Sequence, residues 1–189
     1  WRARSDSAVA VARRSDVAIV VAGIEEGEFR DRAFLSLPGH QEELIERTAA
    51  TGKRVVVVLV GGSAITMSRW LDRVDGVIDA WYPGEVGGRA VADVLFGDYN
   101  PAGRLPISFP MSEGQLSSYY NHKPPGRGDD YLDLTGQPLF PFGFGLSFTS
   151  FEYANLSIEP TSVPCTVRNT GTRAGDEVVQ LYLRDVLAS

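Results

Sequence analysis

"RVVVVLVGGS", residues 54–63, decides how the rest of this chain is read. Six consecutive apolar residues, Val55 to Val60, run into a pair of glycines with no polar residue between them. A strand with one wet face would alternate, so this run reads as a strand buried on both faces, the habit of parallel sheets. To the N-terminal side, "SDVAIVVAG" (15–23) has the same character. To the C-terminal side, "GVIDAWYPG" (76–84) supplies a third candidate strand. Helical segments are predicted between and around them. "AVAVARR" (8–14) ends an amphipathic helix. "LPGHQEELIERTAATGK" (37–53) places Leu44, Ile45 and Thr48/Ala49 at helical spacing and stops at Gly52. "AITMSRWLDRV" (64–74) and "GGRAVADVLFG" (87–97) complete the set.

Strands alternating with helices over short links predict an α/β fold, a mostly parallel sheet sandwiched by helices. Such sheets gather ligands at the carboxyl ends of their strands. The three post-strand loops, 24–36, 61–63 and 82–88, are therefore expected on one functional rim.

Beyond residue 97 the helical period fades. Proline, glycine and aromatic residues accumulate through "YYNHKPP" and "LFPFGFGLSFTSFEY", and "GRGDDYLDLTG" (126–136) reads as an exposed excursion. From Phe151, the runs "FEYANLSIEP", "SVPCTVRNTG" and "DEVVQLYLRDV" carry β-type patterns separated by turn signals. The expected organisation is an α/β domain over 1–150, its N-terminal edge missing, followed at 151–189 by a β-sandwich cut short after about three of the roughly seven strands a sandwich uses. Trp1 is not an initiator methionine, which also leads us to expect a longer parent protein.

Composition narrows the function classes. With 18 basic and 24 acidic side chains the net charge is −6, and clustered Lys and Arg for nucleic acid or anionic membranes are lacking. Hydrophobic residues at 43% suffice for a real core, while the longest apolar run is far too short to span a bilayer. The single cysteine, Cys165, permits no intrachain disulfide and reads as a small buried hydrophobe in a strand. Two separated histidines, His40 and His122, make no metal site. His40 reads as a surface residue in a helix's first turn and His122 as a packing residue. "GGSAI" lacks both the full dinucleotide fingerprint and the Walker lysine, and Ser63 lacks a nucleophile elbow, so neither a cofactor nor a serine hydrolase is expected. Trp70 and Trp81 read as core, with Tyr82 beside Trp81 on the rim. Arg127-Gly128-Asp129 reads as a chance tripeptide. Asn155-Leu156-Ser157 is a sequon that matters only in eukaryotic secretion.

The chemistry-bearing stretch is "GIEEGEFRDRAFLSLPG" (23–39), which sets Glu25, Glu26 and Glu28 ahead of Asp31-Arg32. On spacing alone it is a solvated acidic turn with a local Asp31–Arg32 ion pair. Its place at the carboxyl end of a strand makes it a candidate catalytic loop.

The stretches "EFRDRAFLSLPGHQEELI", "TGKRVVVVLVGGSAI", "IDAWYPGEVGGRAVADVLFGDYNPAGRLPISFP" and "PLFPFGFGLSFTSFEY" together resemble the family 3 glycoside hydrolases. The likeness is to the α/β sandwich domain that follows their (β/α)8-type barrel, and "VRNTGTRAGDEVVQLYLRD" resembles the start of their fibronectin type III-like domain. The resemblance implies a retaining, exo-acting β-glycosidase acting on β-linked oligosaccharides or glycosides. A β-glucosidase is expected first and a β-xylosidase second, with an aspartate nucleophile on the missing barrel. It implies an acid/base glutamate three residues ahead of an Asp-Arg pair, which is Glu28 here, with Glu26 the fallback and Glu25 a further possibility of register. Members often show Glu-Gly-Tyr-Asp-Arg, and this chain departs from that with Phe29-Arg30. The fragment alone is then expected to be inactive, in a parent for which a periplasmic or secreted location is favoured and a cytoplasmic one stays open. A non-catalytic carbohydrate-binding or cell-surface module is the alternative from another class.

Overall fold

The computed structural model of the chain describes residues 1–123, 126 and 128–185. The elements run α1 (Arg2–Arg13), β1 (Val17–Gly23), α2 (Gln41–Ala49), β2 (Arg54–Val60), β3 (Gly76–Asp79), α3 (Gly87–Phe96), β4 (Phe151–Ala154) and β5 (Thr166–Asn169). β1, β2 and β3 form a parallel sheet in that order, with Val17 opposite Arg54 and Val56 opposite Gly76. β4 and β5 form a separate antiparallel pair. The α/β reading therefore holds, with a small antiparallel sheet formed later in the chain.

Two compact units result. One comprises Trp1–Val91 with Ile107–Pro141; the other comprises Ala92–Pro106 with the described residues of Phe142–Ser189. In the first, α2 packs on β1 and β2 and against α1. Ile45, Val55, Val57, Leu59 and Trp70 are fully enclosed. Each such aliphatic side chain contributes about 1.5–3 kcal/mol relative to exposure. Phe109 joins this unit's core by exchanging backbone hydrogen bonds with Phe140, and its ring meets Trp81 edge-on at 6.1 Å. In the second unit, Asn100 accepts from the Phe148 N–H (2.6 Å), and Arg104 pairs with Glu177 at 2.8 Å with both side chains largely enclosed.

Several elements depart from expectation. β1 is buried on one face only: Ala22 and Val20 are inside, whereas Val17, Ile19 and Val21 face outward, Val21 at 68% exposure. α2 packs on the sheet and so covers one side of β1; the outward row carries no such cover. Residues 64–74 do not form a helix; only a 3-10 turn appears, at Leu71–Arg73. Ala64, Ile65, Thr66 and Met67 are all buried, and four consecutive buried residues cannot share one side of a helix. The stretch is instead threaded through the core, with the Thr66 N–H on the Leu35 carbonyl. β3 stops at Asp79, because Trp81 takes a φ of +51° and turns the chain. Of the three expected late strands two form, and 176–185 is not a strand. Cys165 is half-buried rather than enclosed, since the two-stranded ribbon it leads into is open to solvent.

Candidate active site

The acidic loop leaves β1 at Gly23 and is closed at its neck by Gln41, the first residue of α2, whose side-chain amide pairs with both backbone groups of Gly23. Within the loop, Gly27–Arg30 forms a β-turn closed by the Arg30 N–H on the Gly27 carbonyl (3.0 Å). Glu28 and Phe29 occupy its corner, and Phe29 has a φ of +64°. A left-handed third residue is what a type II turn requires and what glycine supplies without strain. The Phe29 side chain is 93% exposed.

Four of the five charges flanking Glu28 pair off among themselves. Arg30 meets Glu25 at 3.2 Å in an exposed pair, and the Arg32 Nε lies 3.6 Å from Glu26 Oε1 with both side chains mostly covered. The local Asp31–Arg32 pair read from the sequence does not form. Arg32 turns inward to Glu26, Ser63 Oγ (2.7 Å) and the carbonyls of Phe34 (3.2 Å) and Ala64 (3.2 Å), leaving Asp31 exposed. Glu28 makes no hydrogen bond or ion pair among the described residues and stands in solvent.

Glu26 is the opposite case. Its Oε2 accepts from the Gly62 N–H (2.7 Å) and the Tyr82 hydroxyl (3.0 Å), while Oε1 accepts from Ser63 Oγ. Burial pushes its pKa up. The hydrogen bonds from Ser63, Gly62 and Tyr82 and the Arg32 charge outweigh that and hold it below the ordinary carboxylate value. The Tyr82 phenol moves up in response, through partial desolvation and its bond to Glu26. All three post-strand loops thus meet on one carboxylate, as their common rim predicts.

Sequence and structure coincide over this architecture. The sequence model of the glycosyl hydrolase family 3 C-terminal domain matches residues 2–148. The chain belongs to this family. A periplasmic β-glucosidase of Salmonella typhimurium is 40% identical over the whole chain, which covers 27% of that relative. A β-xylosidase of Formosa agariphila is 41% identical over 96% of the chain, again 27% of the relative. Among solved structures, a β-glucosidase from Listeria innocua superimposes with a TM-score of 0.90 at 32% identity, covering 97% of this chain and 28% of that one. One from Erythrobacter marinus gives 0.88 at 42% identity, covering 100% and 27%. The family 3 chain therefore spans about a quarter of the length of the relatives it matches.

The remaining candidates of the family 3 chain lie as follows. His40 precedes α2, exposed, stacked on Trp1 at 4.7 Å and 3.1 Å from Glu43. His122 is also exposed rather than packed; its Nδ1 contacts the Tyr119 carbonyl and its Nε2 contacts Asp129, which raise its pKa. Trp70 is core, Trp81 half-buried. Of Arg127-Gly128-Asp129, Arg127 lies outside the described residues, as do Pro124 and Pro125 of the aromatic segment. Among the described residues no three His, Cys, Asp or Glu side chains gather as a metal site, and no helix is long and apolar enough to cross a membrane. What sequence reasoning missed was Tyr82's partner: an O–H bound to a carboxylate 56 residues earlier leaves no local signal.

Proposed function

We propose that this chain is the C-terminal part of a retaining, exo-acting β-glycosidase, a β-glucosidase first, that hydrolyses terminal β-linked sugars with Glu28 as its acid/base. The names of its relatives support an enzyme over a non-catalytic carbohydrate-binding module. Residues 1–150 are assigned to the α/β sandwich domain and 151–189 to the opening of a fibronectin type III-like domain. The aspartate nucleophile belongs to a barrel domain outside this chain, so the chain alone is expected to be inactive. The Salmonella relative's name supports a periplasmic parent.

The observation that carries the Glu28 assignment is the contrast between two carboxylates two residues apart. An acid/base must alternate between protonated and ionised forms and reach a substrate oxygen. Glu26 has both oxygens occupied by donors, and protonating it would break those bonds. Glu28 is unencumbered on a turn at the carboxyl rim. In the reaction, the partner aspartate, placed about 5–5.5 Å away, attacks the anomeric carbon as the glycosidic C–O bond breaks and the Glu28 proton passes to the leaving oxygen. Water then attacks the glycosyl-enzyme, gives its proton to Glu28 and releases the aspartate.

The test uses the full-length protein with Glu28→Ala, assayed on aryl β-glycosides with and without azide. Turnover of poor leaving groups should collapse, while on activated aryl glycosides, whose departure needs no acid, azide should speed breakdown of the glycosyl-enzyme and give a β-glycosyl azide. Near-normal turnover without azide would remove Glu28 from the mechanism. The 41% identical β-xylosidase favours a second reading, xyloside specificity, which paired aryl glucoside and xyloside assays decide.

A further inference from the structure

Three loops that are distant in sequence share one carboxylate. Glu26 comes from the loop after β1, Gly62 and Ser63 from the loop after β2, and Tyr82 from the loop after β3. Arg32 closes the ring, donating to Ser63 Oγ and to the carbonyl of Ala64 while facing Glu26. We propose that Glu26 is a positioning residue, with Tyr82 its partner from the third loop: together they fix the base of the turn that aims Glu28. This rests on Glu28 being the acid/base.

Only Gly27 separates Glu26 from Glu28, and the Gly27–Arg30 turn is hydrogen-bonded, so immobilising Glu26 limits where the Glu28 carboxyl can travel. Glu25 and Arg30 hold only each other, in solvent, where an ion pair contributes little. A misplacement of about 1 Å in a reacting group costs about 100-fold in rate. The low pKa of Glu26 agrees with the role, because the strut must stay ionised to keep its donors. Tyr82 is well exposed, and its hydroxyl can be deleted without opening the core.

The experiment compares Glu26→Gln, Tyr82→Phe and Glu28→Ala in the full-length protein, across aryl β-glycosides of graded leaving-group pKa. For Glu26→Gln, kcat/KM should fall about 100-fold on poor leaving groups and much less on activated ones. The basic limb of its pH profile should remain and azide should bring no gain, since Glu28 is still present. Tyr82→Phe should show the same pattern at about 10-fold, with an unchanged Tm. Azide rescue of Glu26→Gln with loss of the basic limb would make Glu26 the acid/base and overturn both readings. Wild-type turnover on poor leaving groups by Glu26→Gln, beside an azide-rescued Glu28→Ala, would overturn the positioning role alone. Should Glu26→Gln fail to fold, Tyr82→Phe decides: no leaving-group dependence beyond wild type overturns the proposal.

Discussion

Gln41 and Gly23 exchange two hydrogen bonds of 2.8 Å each, the Gly23 N–H donating to Gln41 Oε1 and Gln41 Nε2 donating to the Gly23 carbonyl. The next residue, Ile24, donates to Val60 on the opposite side. The side-chain amide thus acts as a substitute peptide group for the last residue of β1 and closes the neck of the catalytic-loop candidate. Replacing Gln41 by Leu keeps bulk but strips both partners from a partly buried backbone. It should cost about 1–3 kcal/mol in urea unfolding, with faster amide exchange at Gly23.

Phe29 should be easy to improve upon for stability. A non-glycine residue in the left-handed region costs roughly 1–2 kcal/mol, and a ring so fully exposed offsets little of that. Phe29→Gly is expected to raise the Tm by about 2–4 °C, part of the gain being returned to the unfolded chain's entropy. A lower Tm would show that the ring is held by something other than solvent.

Two glycines on the rim should respond differently to alanine. A Cβ at Gly23 would lie 2.2 Å from the Val60 carbonyl oxygen, a backbone atom fixed in the sheet, and Gly23→Ala should lose about 3 kcal/mol. A Cβ at Gly62 would meet the Tyr82 ring at 2.7 Å and Glu26 Oε2 at 2.8 Å, both side-chain ends that can swing away. Gly62→Ala should therefore keep its stability but break the Tyr82–Glu26 bond. The Tyr82 phenol would then titrate lower, a change that tyrosine absorbance or NMR titration detects.

Asp79 gives the sheet a pH dependence of unusual sign. Burial raises its carboxyl to about 6 from an ordinary 3.8, against a smaller opposing effect of the Trp81 N–H. The folded chain then holds this proton more tightly than the unfolded one. Its contribution is complete below 3.8 and is lost as pH climbs through about 6. Relative to Asp79→Asn, the unsubstituted chain should lose Tm between pH 4 and 7. A constant difference across that range would mean that Asp79 ionises normally.

Much of this was legible from sequence. The apolar runs of β1 and β2 could satisfy their backbones in a sheet, though only β2 is largely buried, and the intervening period of α2 forced parallel pairing. The order of strands alone put the loops after Gly23, Val60 and Asp79 at one end. Less legible was Glu42, a helix-surface residue by pattern, which is buried because Arg69 reaches it at 3.0 Å from a segment 27 residues away. The 64–67 stretch misled for a related reason: its residues are helix-compatible, but burial of four in a row overrode local preference.

The sequence by itself determined the α/β class, the rim and which residue types could do acid/base chemistry there, because those follow from periodicity and chain order. Only the tertiary structure decided which carboxylate was held and which was free. Glu25, Glu26 and Glu28 are nearly equivalent as letters. Glu26 alone meets Gly62, Ser63 and Tyr82, and those contacts depend on how β1, β2 and β3 register against one another. A hydrogen bond is set by position to within fractions of an ångström, and that is settled by packing rather than by neighbours in the chain.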